Sequence, residues 1–170
     1  ILPVSETPPQ GWEGKFIWAP KLIQDLDTSA WYLYYTGVNS TVTQQAGFAY
    51  SWDLYSWTRW PLNPIYHPGA WSNWTNGAWA NCRDPEIFHE TGSLYYYMLN
   101  TASTAAGLGA LSFARSQNMA TWTDLTPLFV NGSTAVLESP QLVKSGELYH
   151  LFFTEELVQG TSHMTAPSLT

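Results

Sequence analysis

The chain has 170 residues, a length that suits one domain with a buried core, and 45% of its residues are hydrophobic. Its net charge is −7 with only six Lys and Arg, which argues against binding to nucleic acid or to anionic membranes, because both need clustered positive charge. Aromatic residues reach 16% and charged residues only 11%, so rings remain for a surface or a cleft after the core is packed.

Cysteine and histidine usage narrows the class of protein further. Cys82 is the only cysteine, so no internal disulfide can form. The four histidines are scattered without the spacing of a metal site, and no dinucleotide or nucleophile-elbow motif occurs, so we expect neither a metal nor a cofactor. No apolar run approaches the ~20 residues of a membrane span. Low charge and many hydroxyl side chains favour a secreted or periplasmic protein, with a cytoplasmic one left open.

Aromatic and alternating segments predict strands along the first part of the chain. Residues 1–14 are rich in Pro and Gly and predict an irregular entry. Four strands are then predicted, at residues 16–23, 30–36, 46–51 and 57–60. No window shows a sustained helical period with caps, so we expect an all-β fold with almost no helix.

The pattern repeats along the chain. Residues 51–58 align with residues 116–123, and Pro20 maps onto Pro85 at the same offset. Pro85 in turn maps onto Pro140 at a somewhat shorter offset. Four short strands in each repeat unit are typical of the blades of a β-propeller, which start here near residues 17, 83 and 138.

The number of blades is lower than a closed propeller needs. A closed ring takes ~4–8 blades, whereas residues 1–170 supply about three in a single partial propeller domain. We expect either a piece of a longer protein, which is favoured, or copies that associate as a homo-oligomer and close the ring.

Each blade start carries two residues before its proline: Trp18-Ala19, Arg83-Asp84 and Glu138-Ser139. The innermost strands of a propeller line its central channel, so equivalent positions converge on one mouth of it. We therefore expect Trp18, Asp84 and Glu138 to face the same volume.

Two carboxylates in one cleft suit the hydrolysis of a glycosidic bond. One carboxylic acid protonates the leaving oxygen, and one carboxylate supports the oxocarbenium-like centre. Arg83, next to Asp84, would hold that Asp ionised. The structural alternative is that Arg83 and Asp84 form an ion pair that closes a blade, with Glu138 as a turn residue.

The order of motifs also resembles a known group of enzymes. The segments are Trp18-Ala19-Pro20, Tyr35-Thr36-Gly37, Gln44-Gln45, Ala49-Tyr50-Ser51-Trp52-Asp53, Asn63-Pro64, Arg83-Asp84-Pro85 and Glu138-Ser139-Pro140. Together they resemble the five-bladed propeller glycosidases of glycoside hydrolase family 32 and, more loosely, of family 43. The resemblance covers roughly residues 16–166.

This resemblance implies roles for individual residues. Asp84 would bind sugar hydroxyls and stabilise the transition state, Arg83 would orient the substrate, and Glu138 would be the acid/base. Family 32 takes its nucleophile from an Asn-Asp-Pro motif in an earlier blade, and no such motif occurs in this sequence. Ser139 replaces the Cys that usually follows the Glu. The resemblance therefore implies an incomplete catalytic set in this chain.

Tryptophans supply candidate stacking surfaces for a sugar. The connection from residue 66 to residue 81 leads into Asp84 and contains Trp71 and Trp79, and Trp18 lies at the first blade start. We expect Trp18, Trp71 and Trp79 to bind substrate, the alternative being that they pack between blades.

The favoured hypothesis is a glycoside hydrolase that cleaves a fructoside or related O-glycosidic bond with retention. One alternative is a family 43-like hydrolase of arabinan or xylan, which would invert. Another is a non-catalytic carbohydrate-binding propeller fragment that self-associates.

Overall fold

A computed structural model describes residues 10–156, 158 and 160–169. A short 3-10 helix at Gln10–Glu13 precedes thirteen strands in this part of the chain. Among the residues described, no helix is long and apolar enough to cross a membrane. The expectation of an all-β fold with almost no helix is confirmed.

The first sheet is a four-stranded antiparallel meander in chain order. Its strands are β1 (Phe16–Gln24), β2 (Trp31–Val38), β3 (Gln44–Ser51) and β4 (Thr58–Arg59). The fourth is shorter than the predicted residues 57–60, because only Thr58 and Arg59 pair with β3. Trp57 instead turns its indole N–H back to the carbonyl of Leu54.

The second sheet has an interrupted third strand. It comprises β5 (Arg83–His89), β6 (Tyr96–Ser103), β7 (Gly109–Leu111), β8 (Ala114–Ser116), β9 (Thr123–Asp124) and β10 (Phe129–Val130). Both β7 and β8 pair with β6, and the break between them falls at residues 112–113. The third sheet is antiparallel and contains β11 (Leu137–Ser145), β12 (Leu148–Glu155) and β13 (Gly160–Ala166).

Large apolar side chains fill the spaces between the sheets. One buried cluster lies between the first and second sheets and includes Tyr34, Phe48, Ile87, Met98 and Met119. A second lies between the second and third sheets and includes Leu99, Leu111, Phe113, Leu137, Leu142 and Phe153. Each such side chain contributes about 1.5–3 kcal/mol when fully buried. The sheets therefore pack face to face, as the blades of a partial propeller do, and the predicted fold class is confirmed.

The repeated turn has the same hydrogen bonds in both copies. Asp53 Oδ1 accepts the backbone N–H groups of Tyr55 and Ser56, at 2.8 and 2.7 Å. Asn118 accepts the equivalent pair in the second copy of the turn. The backbone hydrogen bonds lower the pKa of Asp53 to about 2. Asp53 is thus a turn residue.

The short helix before β1 covers the outer face of the first sheet. The ring of Trp12 lies over Gly37 and Gly47, where a Cβ atom would approach it to 2.0 and 2.4 Å. Glu13 is fully buried, accepts a hydrogen bond from the Tyr35 hydroxyl at 2.6 Å and forms an ion pair with Arg59. Two glycines on adjacent strands therefore leave the space in which one indole packs.

Candidate active site

The three inner strands share one backbone irregularity at the same point. The pairing of β1 with β2 shifts between Trp18 and Lys21, and β5 and β11 show the same shift at the equivalent positions. A residue with positive φ lies in each shift: Ala19 at 47°, Asp84 at 58° and Ser139 at 52°. A proline follows each of them, and a bulge tolerates proline because no ladder hydrogen bond is lost.

These bulges turn the side chains of three sheets into one cleft of about 460 Å³. Its lining consists of Trp18, Ala19, Gln44, Trp79, Arg83, Asp84, Glu138 and Ser139. Five of the six residues predicted from the sequence to form a site thus meet at one place. Trp71 is not among the lining residues; its indole donates a hydrogen bond to Asp124 at 2.8 Å.

Arg83 is paired with Glu138 across two sheets. Its Nη2 lies 2.6 Å and its Nε 3.2 Å from Oε1 of Glu138. The Arg83 side chain is 12% exposed, whereas that of Glu138 is 40% exposed. The expected pairing of Arg83 with its neighbour Asp84 does not occur. Arg83 therefore holds a carboxylate that is partly open to solvent at the cleft.

Asp84 is fixed by contacts with all three sheets. Its backbone N–H donates to the hydroxyl of Thr36 on β2 at 3.0 Å. Its Oδ2 accepts the Thr101 hydroxyl at 3.2 Å and the backbone N–H of Ser139 at 2.9 Å. Positive φ is a strained conformation for a residue with a side chain, at a cost of about 1–2 kcal/mol, and these contacts hold it. The Asp84 carboxyl group thus has a fixed position.

Gln44 joins the first sheet to this network. Its Oε1 accepts hydrogen bonds from Nη1 of Arg83 at 3.2 Å and from the backbone N–H of Cys82 at 3.4 Å. Asn81 accepts a second bond from the same Arg83 nitrogen at 2.7 Å. The guanidinium is therefore anchored on one edge by amides and on the other by Glu138.

The tryptophans at the cleft differ in exposure. Trp79 is 62% exposed, and its indole N–H donates to Asn81 at 3.2 Å. Trp18 is half-buried and stacks on Phe16, with ring centroids 5.5 Å apart. Both present ring surface at the rim, a geometry that suits stacking against the apolar face of a sugar.

A second ion pair, between Lys21 and Glu86, lies beyond the bulges. Lys21 Nζ is 2.6 Å from Glu86 Oε2, and the Glu86 side chain is only 5% exposed. Burial raises the pKa of Glu86 above its usual 4.5, although the hydrogen bond from Lys21 acts in the opposite direction. This pair lines a smaller chamber that shares Ala19, Asp84 and Ser139 with the cleft.

Sequence reasoning did not identify the threonines that support Asp84. Thr36, Thr101 and Thr154 occupy one equivalent position, paired across their sheets with Trp18, Arg83 and Glu138. The repeat that relates Pro20 to Pro85 also relates Thr36 to Thr101. This shared offset is the feature of the sequence that could have identified Thr36 and Thr101.

The cleft offers general acid–base chemistry from two carboxylates, together with an arginine and two indoles. In the described part of the chain, no three His, Cys, Asp or Glu side chains group as metal ligands would. Asp84 has its Oδ2 occupied by two donors, whereas Oε1 of Glu138 is engaged by Arg83. The Glu138 side chain is 40% exposed, so it is placed to exchange a proton with a ligand.

Comparison with solved structures shows the same fold in larger enzymes. Fructan 1-exohydrolase IIa from Cichorium intybus superposes with a TM-score of 0.75 at 17% identity, covering 93% of this chain and 32% of that chain. The β-fructofuranosidase of Bombyx mori matches with a TM-score of 0.63 at 21% identity, covering 80% of this chain and 28% of that one. The exo-β-1,3-galactanase of Phanerochaete chrysosporium matches with a TM-score of 0.62 at 22% identity, covering 88% and 32%.

The chain spans about a third of the length of these three structures. No curated protein matches it. The resemblance to the propeller glycosidases is confirmed. The family model that matches is "Glycosyl hydrolases family 43", over residues 3–168, whereas the motifs gave more weight to family 32. Since this model covers nearly the whole chain, the protein belongs to glycosyl hydrolases family 43.

Proposed function

We propose that the complete protein hydrolyses a glycosidic bond in a neutral oligo- or polysaccharide with inversion, and that this chain carries the proton donor. Membership of family 43 supports inversion over the retaining fructoside hydrolysis that the motifs favoured. The observation that carries the proposal is the arrangement of Arg83, Asp84 and Glu138 from neighbouring sheets around one cleft.

Glu138 is assigned as the general acid. Its side chain lines the cleft and is 40% exposed, so it can reach the leaving oxygen of a bound sugar. Arg83 contacts only Oε1 of Glu138, so Oε2 is the oxygen that can donate a proton while the guanidinium holds the carboxyl group in place. Arg83 is assigned to orienting the Glu138 carboxyl group and, as the resemblance implies, the substrate.

Asp84 is assigned as a fixed charge rather than the base. Its Oδ2 already accepts two hydrogen bonds, which suits a carboxylate that stabilises developing positive charge and binds sugar hydroxyls. The resemblance takes the remaining catalytic Asp from an earlier blade, and the residues lining this cleft include no further carboxylate beside Asp84 and Glu138.

The substrate class follows from the rim and from the charge. Trp18 and Trp79 offer ring surfaces for the apolar face of a neutral sugar, and a chain with net charge −7 disfavours anionic glycans. Arabinan, xylan, galactan and fructan are the candidates. The solved relatives named above are described as acting on fructan or crystallised with β-1,3-galactotriose.

The test is a stereochemical assay on the natural full-length protein. Oligosaccharides of the four classes are incubated with it, and the first product anomer is recorded by NMR. Inversion supports the proposal. Retention would reject it in favour of the fructoside mechanism, and no hydrolysis of any substrate would reject the enzyme hypothesis.

A sugar-binding module without catalysis is the second candidate. The observation in its favour is that only two carboxylates line the cleft among the described residues, and Oδ2 of one of them, Asp84, already accepts two hydrogen bonds. Quenching of Trp18 and Trp79 fluorescence by an oligosaccharide, with no hydrolysis by the full-length protein, would support it.

A further inference from the structure

We propose that Gln44 is a positioning residue for Glu138, and that it acts through Arg83. Gln44 begins β3 on the first sheet and is fully buried, yet it lines the cleft. Neither the family match nor the motif resemblance gives this residue a role. The proposal rests on the function proposed above.

The orientation of the Gln44 amide is determined by its neighbours. Both groups that contact its Oε1 are donors, the guanidinium of Arg83 and the backbone N–H of Cys82. A flipped amide would place an NH₂ group against these two donors. The cost of the present orientation is that Nε2 is buried without a partner among the described residues. The contact with Arg83 is thus kept at the expense of the other end of the amide.

Gln44 is itself held rigidly. Its backbone N–H donates to the carbonyl of Ala80 at 3.2 Å, and its carbonyl accepts the indole N–H of Trp74 at 2.8 Å. The acceptor that it offers to Arg83 therefore has a fixed position.

The guanidinium transmits this position to Glu138. Its five N–H groups lie in one rigid plane, so an acceptor fixed at Nη1 sets the rotation of the whole fork. The opposite edge of the fork, Nε and Nη2, holds Oε1 of Glu138. A relay thus runs from Gln44 on the first sheet, through Arg83 on the second, to Glu138 on the third.

Loss of this relay should affect the rate more than the binding of substrate. A proton donor works only within hydrogen-bond reach of the leaving oxygen, and a small misplacement costs rate even when the substrate still binds. Asn81 continues to bind Nη1 when Gln44 is changed, so Arg83 keeps its place but loses one of the two acceptors that fix its rotation.

The experiment compares Gln44→Met with Gln45→Met in the natural full-length protein. Methionine preserves length and volume but removes the acceptor. Gln45 is the next residue on the strand and is not among the cleft-lining residues, so its variant is the matched control. For Gln44→Met we expect kcat to fall about tenfold with KM changed less than about twofold. Gln44→Glu keeps an oxygen at the Oε1 position and should recover most of the rate.

A second readout does not depend on activity. Hydrogen exchange of the Arg83 Nε–H, followed by NMR, should accelerate in Gln44→Met and return towards the parent value in Gln44→Glu, with Gln45→Met unchanged. Unchanged exchange in Gln44→Met, or equal effects at both glutamines, would overturn the proposal. If the parent hydrolyses no sugar, the proposed function fails while the exchange data still decide the positioning role. If Gln44→Met does not fold, the exchange rate of the Arg83 Nε–H in Gln44→Glu decides whether Gln44 positions Arg83. Faster exchange in Gln44→Glu than in the parent counts against the proposal.

Discussion

The Nη2 atom of Arg83 lies 2.6 Å from Oε1 of Glu138, although 55 residues separate the two in the chain. The pair joins the second sheet to the third at the mouth of the cleft. Because Glu138 is 40% exposed, solvent weakens this ion pair, and its main effect is to orient a carboxylate rather than to stabilise the fold.

Replacing the proposed acid should separate binding from hydrolysis. In Glu138→Gln the side chain keeps its shape but cannot donate a carboxyl proton, so we expect kcat to fall at least about 10²-fold with sugar affinity changed less than about fivefold. Hydrolysis rates and quenching of tryptophan fluorescence measure the two effects. Glu147→Gln, at an exposed residue after β11, is the control and should behave as the parent. Full activity in Glu138→Gln would remove Glu138 from the mechanism.

Lysine cannot substitute for Arg83. The arginine contacts Glu138, Asn81 and Gln44 from different nitrogens of one plane, whereas an ammonium group is a compact point charge. We expect Arg83→Lys to lower the free energy of unfolding by about 1 kcal/mol and to lower kcat by about 10². Urea denaturation and initial rates measure these effects. Arg115→Lys, at an exposed arginine that lies over the Tyr95 ring, should change neither quantity appreciably.

Thr36 supports the strained backbone of Asp84. In Thr36→Val the N–H of Asp84 loses its acceptor, so we expect the free energy of unfolding to fall by about 1–2 kcal/mol. Thr154→Val is the matched control, because Thr154 occupies the equivalent position in β12 and its hydroxyl has no hydrogen bond within the described residues. Chemical denaturation of both variants tests the difference, and equal losses would contradict the role given to Thr36.

The indole of Trp12 packs so closely on Gly37 that this position accommodates no side chain. A Cβ atom there would lie 2.0 Å from the indole, so Gly37→Ala must displace either the ring or the strand. We expect a loss of about 1–3 kcal/mol in the free energy of unfolding, with a change in tryptophan fluorescence. Gly11→Ala is the control, since its Cβ atom would meet nothing within 4 Å. A stable Gly37→Ala variant with unchanged fluorescence would show that Trp12 is not held there.

Glu86 should make stability depend on pH. Burial raises its pKa in the folded state above the usual 4.5, so the folded chain binds more protons than the unfolded chain at pH values between the two. The contribution of Glu86 to stability therefore falls as pH rises through that window, and the loss persists above it. Denaturation from about pH 4 to pH 8 should show this decline in the parent and a flatter profile in Glu86→Gln.

The double variant Lys21→Met/Glu86→Gln controls for the lysine that Glu86→Gln leaves unpaired. It should share the flatter profile. If the parent and both variants have parallel pH profiles, the altered titration of Glu86 does not contribute to stability.

Much of the fold followed from the spacing of a few residues. The offset that relates Pro20 to Pro85, and the shorter one that leads to Pro140, place the three inner strands and predict that their starts converge. The three strand starts do converge in the structure, because equivalent strands of stacked sheets occupy the same position relative to the cleft. The same offset contained Thr36 and Thr101, whose role depends on hydrogen bonds between sheets that no local pattern displays.

The ion-pair partner of Arg83 was harder to predict than the position of Arg83 at the cleft. Adjacent residues on a strand point to opposite sides, which disfavours a pair between Arg83 and Asp84. The aligned repeat equates Glu138 with Arg83 and Ser139 with Asp84, so the two carboxylates occupy successive, not identical, positions. The direction of Trp71 likewise depends on Asp124, a residue 53 positions away that no motif connects to it.

The residue with positive φ in each bulge shows that the backbone conformation does not depend on which side chain the residue carries. Alanine, aspartate and serine occupy the same conformation at positions 19, 84 and 139, and in each case a proline follows. The sheets therefore impose no requirement for a particular functional group at the mouth of the cleft. Reactive chemistry at this place can be gained, exchanged or lost by a single codon change, while the scaffold that presents it stays the same.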